Sequence, residues 1–294
     1  MKKYDSEKWM KNLKTEFYDH TGMLQNTNYL KLISNENSLE KDLKANYFYG
    51  FSQLMPAFFC FCLQTYDNIA NRKLENIPEK NILFNLISIP TFWRFRAGYI
   101  IFWKGYYISG AGLLRAVFEN MLTIIAVENE FISEKDTFMY YSDLSIDEKL
   151  NYREIERRVQ RRDAIIHNIF FGENSKLSDE SKEIIKEQIV KNLHNSVHKS
   201  SNAIALYARD WLMGDSFPIF PRYHQDLSRL YSNIACLIGW IFLRTLPLLQ
   251  IEKNEFSEEW KNKYQVLDTL FTDLIDSLPL EIGRAIEEFV SKYL

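Results

Sequence analysis

The 294-residue chain has little glycine (10), little proline (7) and only three cysteines. So few turn-formers argue against a turn-rich all-β fold and for long helices. An odd number of thiols, two of them one residue apart in Cys60-Phe61-Cys62, is no disulfide framework and points to a reducing cytoplasm. Cys60 and Cys62 have no Cys or His beside them in sequence, so core packing is expected of both rather than metal binding. Charge of one sign is also missing. The net charge is −3, so an anionic partner would have to meet a local basic patch. There is no glycine-rich phosphate loop, no dinucleotide fingerprint and no HExxH pair, which removes most familiar nucleotide-dependent and zinc-protease chemistry. The N-terminus, MKKYDSEKWM, lacks the apolar core of a signal peptide. The runs 47–63 and 232–250 are apolar but broken by Ser52 and Gln53 in one and by Arg244 in the other. Neither gives about 18 clean apolar residues, so both are expected as buried helices, with no membrane insertion.

What remains is helical periodicity. The expected fold is all-α, a single bundle of about 9–10 helices. Residues 1–37 form a helical extension with an amphipathic helix near Asp5–Tyr18. Residues 38–250 form the core, and 251–294 a helical pair packed on it. Within the core a long helix runs from about Ser38 to Ala70, bent at Pro56, and a second is ended by Pro90. Residues 91–129 make one or two very apolar helices, with Gly105, Gly110 and Gly112 marking a break or a close contact. The capping box Ser145-x-x-Glu148 starts a helix that reaches about Phe170, where Gly172 stops it. A helix from LSDESKE (177–183) runs to about Leu212. Helices near 223–250, 257–277 and 280–293 complete the bundle.

Five arginines fall within residues 153–162. Arg153, Arg157 and Arg161 follow at i, i+4, i+8 opposite Ile155, Val159, Ile166 and Phe170, so they form a stripe expected to be solvated, with Arg158 beside them. Arg162 falls on the apolar face, where a guanidinium needs a carboxylate, a carbonyl or a ligand. Asp163 follows it, and His167 comes five residues after Arg162. On an ideal helix residues five apart point about 140° from each other. Arg162 and His167 would therefore share a site only across a dimer, or if the helix loosens near HNIFFG.

A second constellation lies on two other segments. In the apolar stretch GLLRAVFENMLTIIAV (112–127), Arg115 and Glu119 stand at i, i+4 and are expected to pair. In LHNSVHKSS (193–201), His194 and His198 are i, i+4 neighbours beside the face marked by Leu193 and Val197. With Glu187 they could hold a metal, but packed or capping histidines are the commoner use and no metal is assigned.

The spacing Arg162-Asp163-x3-His167 resembles the Arg-x(4–6)-His motif of the HEPN superfamily. These are all-helical domains, many of them metal-independent endoribonucleases of toxin–antitoxin, phage-defence and CRISPR systems. The resemblance implies a homodimer, no cofactor, His167 in acid/base chemistry on the ribose 2′-hydroxyl and Arg162 on the phosphate. LLRAVFE and SVHKSS are similar to segments of HEPN-like helical proteins of unassigned function over roughly residues 45–245. This likeness implies instead a central pocket of Arg115, Glu119 and His198, with Arg162/His167 coincidental. The function expected is a HEPN-like endoribonuclease acting on RNA or a nucleotide. Its catalytic candidates are Arg162, His167 and His198, and its substrate-binding candidates are Arg115, Glu119, Arg158, Arg161, Asp163 and His194. The alternative is a non-catalytic sensor or scaffold that takes a protein or nucleotide partner. The aromatic loop GDSFPIFPRYH (214–224) and the negative net charge favour it.

Overall fold

A computed structural model of the chain describes residues 27–47, 49–70, 77–137, 152–197, 225–251 and 255–294. Among these residues the fold is all-α, a bundle of ten helices with no strand. The N-terminal helix expected at Asp5–Tyr18, the Ser145 capping box and the 214–224 loop lie outside the described residues.

Helix α1 (Thr27–Asp42) passes through a π turn (Leu43–Tyr47) towards α2 (Tyr49–Ala70). Then follow α3 (Glu79–Trp103), α4 (Tyr107–Glu128) and α5 (Tyr152–Phe171). Helix α6 (Asp179–Ile185) continues through a second π turn (Lys186–Val190) into α7 (Lys191–Val197). Helix α8 (Gln225–Thr245) ends in a 3-10 turn (Leu246–Leu249), and α9 (Glu258–Asp276) and α10 (Leu280–Tyr293) close the chain.

Two expectations are corrected here. Pro90 does not end its helix. Helix α3 runs unbroken to Trp103 with Pro90 inside it. Both Pro90 and Leu86, whose carbonyl loses its i+4 donor, face solvent, so water can satisfy what the ring removes. Phe84, Phe92 and Phe95, fully buried on either side, hold the helix through the defect. Cys60 is exposed, whereas Cys62 and Cys236 are buried. Residues two apart on a helix point about 200° from each other, so only one of Cys60 and Cys62 can face the core.

The glycines divide as the pattern suggested. Gly105, at φ 82°, makes the break between α3 and α4, a left-handed conformation that costs a residue with Cβ. Gly110 makes the close contact. A Cβ there would sit 3.3 Å from the Gly98 carbonyl oxygen, so the α3 and α4 backbones meet at two glycines. Thr91 bridges the same interface, donating to the Ile87 carbonyl (2.6 Å) and accepting from Asn120 Nδ2 (2.8 Å).

Phe58, Phe95, Phe242 and Phe271 join α2, α3, α8 and α9 at the centre, with Phe58 edge-on to Phe271 at 5.5 Å. All four are fully buried. Helix α4 packs against α3, α5, α7 and α8, which makes it the hub of the bundle. The segments Ser109–Glu128 and Leu227–Leu249 are long and apolar enough to cross a membrane, yet 67% and 78% of their most apolar windows are buried against other helices.

The C-terminal helix fixes the two elements that flank α4. Phe170 of α5 packs on Tyr293 at 4.8 Å, and the Tyr293 hydroxyl accepts from the Lys176 N–H (2.9 Å). Glu288 accepts from the Ser178 N–H (2.8 Å), the Ser178 hydroxyl (2.8 Å) and the Ser181 hydroxyl (2.6 Å). Those hydrogen bonds hold its carboxyl below the usual range, the Ser181 hydroxyl bond contributing most. The start of α6 is thereby held to α10, and the register of α6–α7 is set from there.

Candidate functional site

Arg115 and Glu119 lie on the one polar edge of α4. Leu114, Val117, Phe118 and residues 121–127 around them are buried. At i, i+4 the two side chains meet: Arg115 Nε donates to Glu119 Oε1 at 2.6 Å, and both are about a quarter exposed. The expected pair is therefore formed, at the rim of the core rather than inside it.

Helix α5 faces this edge. Ile166 and Phe170 are buried and anchor it, which turns Asp163 and His167, themselves i, i+4 neighbours, towards α4. Helix α7 closes the third side. The π turn before it adds a residue to one turn, so the continuing helix is rotated relative to α6. Ile185, Ile189 and Leu193 stay buried while Val190 and His194 reach the rim. The three helices border a small, solvent-open cleft lined by Arg115, Phe118, Glu119, His167, Val190, Leu193 and His194.

The cleft perturbs two titrating groups in opposite senses. Burial, followed by the nearby Glu119 carboxylate, raises the Asp163 carboxyl from its ordinary 3.8 to about 6, against the pull of Arg115 and Arg162. Burial also lowers His167 below its ordinary 6.5. Arg115 and His194 add to that effect and Glu119 opposes it. At neutral pH the site thus holds a neutral imidazole within the field of a guanidinium, a carboxylate and a second imidazole.

Members of both constellations read as competitors in the sequence line one cleft. His167 comes from the Arg-x4-His segment, and Arg115, Glu119 and His194 from the other. Arg162 is half-buried and does not line the cleft, although its charge is felt at Asp163. Helix α5 is continuous from Tyr152 to Phe171, so it does not loosen between Arg162 and His167, and the two point apart. Asp163, not Arg162, shares the face of His167. Gly172 ends the helix one turn later, where a Cβ would collide with Asn168.

Arg157 and Arg161 are exposed, as the solvated stripe requires. The side chains of Arg153 and Arg158 lie outside the described residues, as does His198. Glu187 pairs with Lys191 at 2.6 Å, and among the described residues no three His, Cys, Asp or Glu side chains converge to hold a metal. Phe118 and Val190 were not foreseen in the cleft. The position of Phe118, between Arg115 and Glu119 on the same helix, was the available signal. No protein-family model, curated protein sequence or solved structure matches the chain.

Proposed function

We propose that the protein is a HEPN-like, metal-independent endoribonuclease of bacterial stress or phage defence, acting in the cytoplasm. The observation that supports it is the convergence of His167, His194 and the Arg115–Glu119 pair on one cleft. The cleft is small and opens to solvent, so it takes a single phosphodiester at its rim, with the rest of an RNA strand running past the exposed Arg157 and Arg161.

In this mechanism His167, neutral at pH 7, takes the proton of the ribose 2′-hydroxyl. The 2′-oxygen attacks phosphorus and the bond to the 5′-oxygen breaks, with His194 delivering a proton to the leaving oxygen. The products are a 2′,3′-cyclic phosphate and a 5′-hydroxyl. Arg115, held by Glu119, meets the charge that gathers on the phosphoryl oxygens, and Arg162 adds to the positive field behind Asp163. Loss of one positioned acid or base costs about 10²–10⁴-fold. His167→Ala and His194→Ala should each lose that much RNA cleavage while folding normally by circular dichroism, and EDTA should leave the wild-type rate unchanged. Intact RNA with the wild-type protein overturns the ribonuclease assignment and leaves the sensor or scaffold reading.

A further inference from the structure

The cleft is bordered by α4, α5 and α7, and none of the residues that line it belongs to α10. Yet all three helices are tied to α10 away from the cleft. Helix α4 is tied at its C-terminal end, where Asn129 Nδ2 donates to the Tyr293 carbonyl (2.9 Å). Helix α5 is tied one turn from His167, where Phe170 packs on Phe289 (5.7 Å) and Tyr293 (4.8 Å). The Ser175 hydroxyl donates to the Phe170 carbonyl (2.5 Å). That leaves the Tyr293 hydroxyl to donate to Ser175 (3.1 Å) while it accepts from the Lys176 N–H (2.9 Å). The helical run that carries His194 is tied at its start, through the hydrogen bonds that Glu288 accepts from Ser178 and Ser181.

We infer that Glu288 and Tyr293 are positioning residues of the cleft: through them α10 sets where His167 and His194 stand relative to Arg115. Direction is one reason. Residues 288 and 293 are five apart, so they leave α10 about 140° from each other. One side chain reaches the helical run of His194 and the other reaches the end of α5, with α10 between them. Stiffness is the second reason. Helix α6, the π turn and α7 follow without a break, and from Ser181 to His194 they run about 20 Å at 1.5 Å per residue. One end of this run is seated on α10 and the other on α4, so a shift at Ser178 and Ser181 passes along the axis to His194. The third reason is what burial leaves loose. Ile185, Ile189 and Leu193 are buried, but apolar burial is non-directional and fixes the inward face without fixing the axial position. Hydrogen bonds of 2.6–2.8 Å to two serines one turn apart fix both.

For RNA cleavage this rests on the ribonuclease reading; for the placement of the two imidazoles it rests on the geometry alone. Neither Glu288 nor Tyr293 lines the cleft, so their loss should lower turnover and leave substrate binding as it is. A displacement of about 1 Å in a reacting group can cost about 10²-fold. Burial is the main cause of the lowered His167 pKa, so a loosened α5 or α7 should let it return towards 6.5.

NMR titration of the histidine ring signals of the full chain, with the His167 signal assigned by its loss in His167→Ala, tests this. Glu288→Ala and Tyr293→Phe should each move the His167 midpoint up towards 6.5. Each should also speed amide exchange at residues 191–197 by on the order of 10-fold, with α8 and α9 exchanging as in the wild type. Glu288→Gln keeps an oxygen for the Ser178 N–H and an amide for the serine hydroxyls, and should restore the wild-type midpoint. Asp268→Ala removes a tie between α8 and α9 and should leave the midpoint where it is. In RNA cleavage Glu288→Ala should lose about 10–100-fold in kcat with KM within about twofold of wild type. A midpoint unmoved in either Glu288→Ala or Tyr293→Phe overturns the inference. So does an equal movement in Asp268→Ala, which would mark general loosening, and so does a loss carried by KM alone. The midpoints decide the matter even where the wild type leaves RNA whole, so failure of the ribonuclease reading stays separate.

Discussion

Asp163→Asn should make the protein more stable at neutral pH and remove a pH dependence that the wild type carries. The carboxyl sits beside Glu119 on a half-buried face, and its folded pKa is raised from 3.8 to about 6. A raised folded pKa means that the native state holds the proton more tightly than the unfolded chain does. The stability tied to that proton is complete below about pH 3.8 and is lost as pH rises through about 6. The gap between those values, at about 1.36 kcal/mol per pH unit, sets a ceiling near 3 kcal/mol. Asp163 is only partly buried, and solvent screening brings this to about 1–2 kcal/mol. Asparagine keeps the shape and cannot ionise. Urea unfolding curves at pH 4.5 and pH 7.5, for wild type and variant, should therefore differ by about 1–2 kcal/mol in favour of the variant at pH 7.5, and by much less at pH 4.5. His167 works in the opposite sense. Its lowered pKa contributes stability present above about pH 6.5 and lost as pH falls, and it is common to both proteins, so the comparison cancels it. A variant less stable at pH 7.5, or a difference that does not change with pH, would mean that Asp163 is ionised and well paired, and the electrostatic account of the cleft would be wrong.

Three further outcomes follow from the packing. Gly110→Ala should cost about 1–3 kcal/mol in urea unfolding, because the new methyl meets the Gly98 carbonyl at 3.3 Å; a neutral result would show that α3 and α4 separate freely. Asp268→Ala should cost about 1.5–3 kcal/mol. It removes the acceptor of Trp240 Nε1 (2.8 Å) and Arg244 Nη2 (2.6 Å) together, and no change would show that water replaces both. Pro90→Ala should stabilise by about 1–2 kcal/mol, restoring the hydrogen bond to Leu86 at the expense of a freer unfolded chain; destabilisation would mean that the proline shape is needed at that point of α3.

The fold class was legible because apolar residues recur at helical spacing through most of the chain and almost nothing interrupts them. Caps and stops were legible where one residue decides. Ser178 begins α6, with its hydroxyl accepting from the Ser181 N–H, and Pro279 precedes α10. Pro90 misled because its cost depends on which side of the helix it faces, and that is fixed by packing outside its own segment. Cys60 was readable and misread: alternation on a helix already separates it from Cys62. The Arg115–Glu119 pair is a local fact and could be seen in the spacing. The cleft is not local. It forms because Phe170 locks α5 to α10, Glu288 locks α6 to α10, and the π turn at Lys186–Val190 turns α7 inward. No short window of sequence contains those three conditions, so His167 and Arg115 looked like members of rival sites.

The most direct test of the central claim is RNA cleavage in EDTA by purified wild-type protein, His167→Ala and His194→Ala, with the chemistry of the new ends determined. The account predicts 2′,3′-cyclic phosphate and 5′-hydroxyl ends from the wild type, and about 10²–10⁴-fold less product from each folded variant. Cleavage that either variant leaves unchanged, or RNA left whole by the wild type, would contradict it.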